Sequence, residues 1–132
     1  MDLYEKFKTD EGKETEGAWV PLSATARIKV ARMGNARYRE YMRKKSAPYR
    51  QSGIANAVPS EVLEQIVREA VAETILVDWA GITTDGKEIP YSKETSLLFC
   101  TDLKDFYNVV LTAADNMETF RVNGQAVLVG NL

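Results

Sequence analysis

The chain has 132 residues, 17 of them basic and 19 acidic, with no histidine and a single cysteine. Such a length fits one domain with one modest core, and the ordinary apolar and charged fractions argue against wholesale disorder. Lacking histidine, the chain has no Ser-His-Asp or Cys-His arrangement and no usual zinc ligand; lacking a second cysteine, it closes no intramolecular disulfide.

Residues 1–16 are mostly charged and bury little, so they are expected to form an arm that stays mobile until a partner binds it. Residues 17–22 and 25–31 read as two short strands of a β-hairpin spanning 17–32. In the second, Ala26, Ile28 and Val30 point one way and Arg27, Lys29 and Ala31 the other. Pro21 restricts the first to a sheet edge. Gly34 breaks the pattern, and Asn35 is a good N-cap for a helix on which Tyr38, Tyr41, Met42 and Lys45 recur at helical spacing. Pro48 is expected to end that helix near Ser46. Its apolar stripe is narrow, so most of its surface faces solvent or a partner.

After a small polar link over 51–56, a stronger helix is expected over 60–79. Either Pro59 takes its first position or Ser60 caps it. Val62, Leu63, Ile66, Val67, Ala70, Val71 and Thr74 trace its apolar face, continued through Leu76 and Trp79 to a stop at Gly81. Glu64, Arg68 and Glu69 lie on its solvated side. Residues 83–87 form a turn with Asp85-Gly86 at the tip. Ser92 opens a short helix holding Leu97, Leu98 and Phe99, and Asp102, followed by Asp105, caps a helix over 102–121. Residues 122–132 fit a flexible tail or a strand awaiting a partner. The expected fold class is mainly α: a small helical domain of about four helices over 17–121 with a short N-terminal β-hairpin. The helices over 60–79 and 102–121 are expected to pack together and hold the core.

Two blocks of the chain resemble the tail assembly chaperones of long-tailed, lambda-like siphovirus bacteriophages. One is Glu16-Gly17-Ala18-Trp19-Val20 with Ala26-Arg27-Ile28-Lys29-Val30-Ala31-Arg32-Met33-Gly34-Asn35 and Tyr38. The other runs from Val77-Asp78-Trp79-Ala80-Gly81 through Asp85-Gly86-Lys87-Glu88-Ile89-Pro90-Tyr91-Ser92 to Asp102-Leu103 and Phe106. The resemblance implies a mainly helical protein made in the host cytoplasm. Members of that family bind the tape-measure protein, help recruit tail-tube subunits, and are absent from the finished virion. Many also have a longer form made by ribosomal frameshifting.

Between Arg27 and Arg50 nine basic residues face one acid, Glu40, while the rest of the chain is acidic. Charge sorted by region suits a molecule that holds a partner, and Arg32, Arg37, Arg39, Arg43 and Lys44 are the candidate contact surface. A solvated face needing no function is one alternative. A nucleic-acid site with Tyr38, Tyr41 and Tyr49 interleaved for stacking is another, disfavoured by the acidic balance and by the want of a known motif. Trp19, on the edge strand, is a candidate partner anchor; Trp79 reads as core, and Cys100, in the apolar run 97–100, as a buried structural thiol. Asp78, Asp85 and Glu88 bracket a loop, but the run has too few oxygen ligands for a calcium loop and reads as a turn with solvated acids. No catalytic residue, metal or cofactor is expected. Complementary acidic and basic regions on neighbouring copies would also allow head-to-tail self-association into helical arrays. No membrane partner is expected, because no stretch nears the roughly 20 apolar residues of a span. The alternative functions are a head–tail connector or minor tail protein retained in the virion, and a basic nucleic-acid-binding module.

Overall fold

The alternation over 27–30 builds the hairpin: β1 (Ala18–Pro21) pairs antiparallel with β2 (Arg27–Val30), Val20 opposite Ile28 and Trp19 opposite Lys29. Val20, Ile28 and Val30 turn inward and are fully buried, while Trp19, Arg27 and Lys29 lie on the outer face. Ala31 follows β2 and is also fully buried, contrary to its expected outward direction, because its N–H leaves the ladder to bond the Ile75 carbonyl. The computed structural model describes residues 1–50 and 58–124. The link at 51–56 and most of the tail expected over 122–132 lie outside the described residues.

The helix expected over 60–79 is two elements. α4 (Ser60–Thr74) ends at Ile75, and Leu76–Ala80 form β3, the third strand of a sheet ordered β1-β2-β3. The register shifts at Lys29/Val30, where Lys29 pairs with Asp78 and Val30 with Leu76, which leaves Val77 as the extra residue of a bulge. That extra residue carries Leu76 and Trp79, three apart, to the same inner face. Apolar residues at a spacing of three read as helix in the sequence, and here they belong to a bulged strand. The run Thr74-Ile75-Leu76-Val77, with three β-branched members, suits the strand better than a further turn of helix. Pro59 precedes the first helical residue, Ser60, and neither supplies a side-chain cap.

β3 returns through Gly81, whose φ of 74° is one that glycine favours and whose missing Cβ would run into the Thr25 carbonyl. The hairpin β4 (Thr83–Thr84) and β5 (Lys87–Glu88) turns on Asp85-Gly86, both at positive φ, as the sequence predicts. Ser92 caps α5 (Lys93–Asp102) by accepting from the Thr95 N–H at 3.0 Å.

The helix expected over 102–121 is also divided. Asp102 is the last residue of α5 and caps nothing; Leu103 leads into α6 (Lys104–Ala114), and Asn116 caps α7 (Met117–Phe120) by accepting from Glu118. Asp115-Asn116 supplies the polar break that allows the chain to turn and bury Phe120 completely. α4 packs mainly on α3 and α5, and α6 on α5, so the two long segments are joined chiefly through α5, with the Arg68 guanidinium reaching over the Tyr107 ring, instead of forming the expected close pair.

α3 (Ala36–Arg50) starts where expected, with the Asn35 carboxamide oxygen accepting from the N–H groups of Arg37 and Tyr38 at 2.9 and 3.1 Å. It runs past Pro48 instead of ending before it. In the turns around Pro48 the Arg50 guanidinium donates to the Arg43 carbonyl at 2.9 Å, and the Ser46 hydroxyl donates to the Met42 carbonyl.

Residues 1–16, expected as a free arm, are docked in this structure as α1 (Leu3–Phe7) and α2 (Glu11–Glu16). Neither helix buries a residue, so hydrogen bonds hold them: Asp10 N–H to the Phe120 carbonyl, Val122 N–H to the Lys8 carbonyl, and Arg32 N–H to the Glu14 carbonyl. Among the described residues the fold is helix-rich but mixed, with seven helices around a three-stranded sheet and a small second hairpin. The main core joins the inner sheet face (Val20, Ile28, Val30, Leu76, Trp79) to Val71, Cys100, Val110 and Phe120.

Candidate functional site

Trp79 is the centre of the inner framework. Its indole N–H donates to the Ile89 carbonyl at 2.8 Å, its ring meets Tyr91 edge-on at 4.8 Å and stacks on Phe99 at 5.4 Å. The Tyr91 hydroxyl donates to the Leu76 carbonyl, which closes part of the free edge of β3. Burial raises the Tyr91 pKa to about 12 and that of the Cys100 thiol to about 11, so both remain neutral near neutrality. This region is structural, and Cys100 is buried in it as the sequence suggests.

α3 is the opposite case. It carries Arg37, Arg39, Arg43, Lys44, Lys45 and Arg50 against Glu40 alone, and no residue of it is fully buried. No acid stands in its first turn, so Arg37 and Arg39 oppose the positive end of the helix dipole. Tyr38 and Tyr41, at helical spacing, turn instead toward the neighbouring helices: Tyr38 packs on the core and the Tyr41 hydroxyl donates to Glu69 of α4 at 3.4 Å.

The candidate residues do not form one patch. Arg37 and Lys44 line an open groove of about 640 Å³ whose opposite wall is Glu73, Thr74, Val77 and Lys93. Lys93 is fixed there by its bond to the Glu73 carbonyl at 2.8 Å and by the Glu73 carboxylate at 3.4 Å. Arg43 holds Glu40 through two bonds of 2.9 and 2.7 Å, and that contact draws the Glu40 pKa below the usual carboxylate range. Arg32 and Arg39 line a second groove, toward α2. Arg32 is already engaged, 3.5 Å from the Glu14 carboxylate and with its guanidinium 5.8 Å from the Phe120 ring centre.

Trp19 lies apart from α3, on the outer sheet face, with the Arg27 guanidinium 4.0 Å from its ring centre and the Lys29 ammonium 5.9 Å away. Asp78 accepts from its neighbour's N–H, the Trp79 backbone amide, at 2.8 Å, while Asp85 and Glu88 are exposed on the small hairpin. These three carboxylates therefore form no common site. Among the described residues no group of three or more His, Cys, Asp or Glu is arranged to hold a metal, and no helix is long and apolar enough to cross a membrane.

Lys93 was not legible as a site residue, because it reaches the groove from α5, beyond the β4–β5 hairpin. Arg68 was read as part of a solvated face, yet it is half-buried, with its guanidinium 5.4 Å from the Tyr107 ring centre. One signal was present: Arg68 is the sole cation of α4, among four glutamates.

The model of a family described as YdaY prophage protein matches residues 33–131, three-quarters of the chain. The chain belongs to the YdaY prophage protein family. It is thus phage-derived, and the match takes in α3 and both walls of the larger groove while Trp19 and Arg32 precede it. No curated protein and no solved structure matches the chain.

Proposed function

We propose that the chain is a phage tail assembly chaperone, acting in the host cytoplasm by binding the tape-measure protein and recruiting tail-tube subunits, and absent from the mature virion. The observation that carries this reading is α3: six cations and no fully buried residue on one helix, beside an open groove with apolar and charged walls. A chaperone for an elongated helical client needs such an exposed strip, edged by charge along which an amphipathic helix can lie. The phage origin of the family supports the same setting. The reading assigns Arg37 and Lys44, which line the groove, to the client, and gives Arg43 and Arg32 bracing roles through Glu40 and Glu14. Acting by surface contact, the protein transforms no substrate and uses no cofactor.

A nucleic-acid role is less well supported, because Tyr38 and Tyr41 face α4 and the core instead of forming an outward ladder of rings. The test is co-expression with the tape-measure protein of the same phage, followed by capture and by mass spectrometry of purified virions. Capture that weakens at least about tenfold in Arg37→Glu/Lys44→Glu, together with absence from virions, is expected. No capture at low and moderate salt would sink the chaperone reading, and presence in virions would favour a connector or minor tail protein.

A further inference from the structure

Arg68 is the one described residue with an enclosed side-chain polar atom, its Nε, that meets no partner. It forms no ion pair with any described residue, although Glu61, Glu64, Glu69 and Glu73 share its helix. Gln65 and Tyr41 occupy Glu69, and Lys93 occupies Glu73. The guanidinium lies over the Tyr107 ring of α6, 5.4 Å from its centre. The Tyr107 hydroxyl has no hydrogen-bond partner among the described residues and is not sealed from water. Two donor groups from two helices therefore lie together without an acceptor.

The apolar setting defines the occupant further. One turn to either side of Tyr107 stand Leu103, just before α6 and half exposed, and Leu111 of α6, partly buried against the core. A cation on an aromatic face, in the middle of an apolar track, matches a polypeptide that places an acid between two apolar residues. We propose that Arg68, with the hydroxyl of Tyr107, is a receptor for a side-chain carboxylate on a partner polypeptide lying along α6. The carboxylate docks on the open Nη side of the guanidinium, where partial withdrawal from water strengthens the contact. The client-binding surface on α3 is separate from this seam, so the proposal does not depend on which polypeptide the α3 groove takes.

The probe is a blocked, fluorescein-labelled helical peptide with leucine one turn to either side of a central glutamate, compared with its glutamine twin by anisotropy on the full chain. The glutamate peptide is expected to bind about tenfold tighter, and the difference is expected to vanish in Arg68→Gln. Should Arg68→Gln fail to fold, Tyr107→Phe keeps the ring and is expected to reduce the difference several-fold. Acetate alone is the control for a small-anion site. Equal binding of the two peptides, an undiminished difference in the variants, or acetate displacing the peptide at matched concentration would each overturn the proposal. Arg37→Glu/Lys44→Glu is expected to leave the peptide difference intact, which separates failure of this site from failure of the α3 reading.

Discussion

α3 and α4 are neighbouring helices of 15 residues each that pack on one another, yet α4 buries five residues and α3 none. Helical stability in a protein comes mainly from packing of an apolar face. α4 has that face in Ile66, Ala70, Val71, Ala72 and Thr74. α3 keeps its place through the Asn35 cap, the partial burial of Tyr38 and the tie from Met33 N–H to the Ala114 carbonyl. Its cations add little to folding, and those of the first turn oppose it. One helix belongs to the core and the other to the surface, and mutation should divide them accordingly.

The largest effect is expected inside α4, where Ile66→Ala should cost about 2–5 kcal/mol in urea unfolding through lost contacts and a residual cavity. A cost below that range would mean that α4 is less central than its burial indicates. Next, Asn35→Ala should cost about 0.5–2 kcal/mol, because two amides at the start of α3 lose their acceptor. Smaller and opposite in sign, Arg37→Glu should stabilise by about 0.3–1 kcal/mol at low salt through the helix dipole while weakening client capture. A stabilised variant with undiminished capture would break the assignment of α3 to binding.

The last test is alkaline pH, which reads chiefly the inner framework, although burial raises the pKa of Tyr38 and Tyr41 on α3 as well. The folded pKa of Tyr91 is raised by burial from 10.0 to about 12, and that of Cys100 from 9.0 to about 11. Raised folded values mean that the neutral groups stabilise fully below the unfolded pKa, and that this contribution is lost as pH rises through the folded values. The melting temperature should therefore fall between about pH 9 and 12, and Tyr91→Phe should flatten the upper part of that fall.

Much of the local structure was legible. The alternation at 27–30, the Asn35 cap, the Asp85-Gly86 turn and the Ser92 cap all follow from short-range chemistry that the residues carry with them. The cationic character of α3 was legible for the same reason. The separation of its arginines was not: Arg32 turns to Glu14, and Arg39 and Arg37 fall on opposite grooves, because neighbours distant in sequence decide which side of a helix is open. The burial of Arg68 was not legible, since the ring it lies over, Tyr107, comes from another helix.

By itself the sequence determined the composition-level limits, the Asp85-Gly86 turn, the Asn35 and Ser92 caps and the concentration of positive charge on one helix. Only the tertiary structure decided that Leu76–Ala80 is a strand and that 102–121 is divided between α6 and α7 after the end of α5. The reason is that apolar spacing does not distinguish a helix face from a strand carrying one extra residue. What distinguishes them here is β2, whose exposed ladder of amides and carbonyls is paired by the bulged β3 and would otherwise be left open.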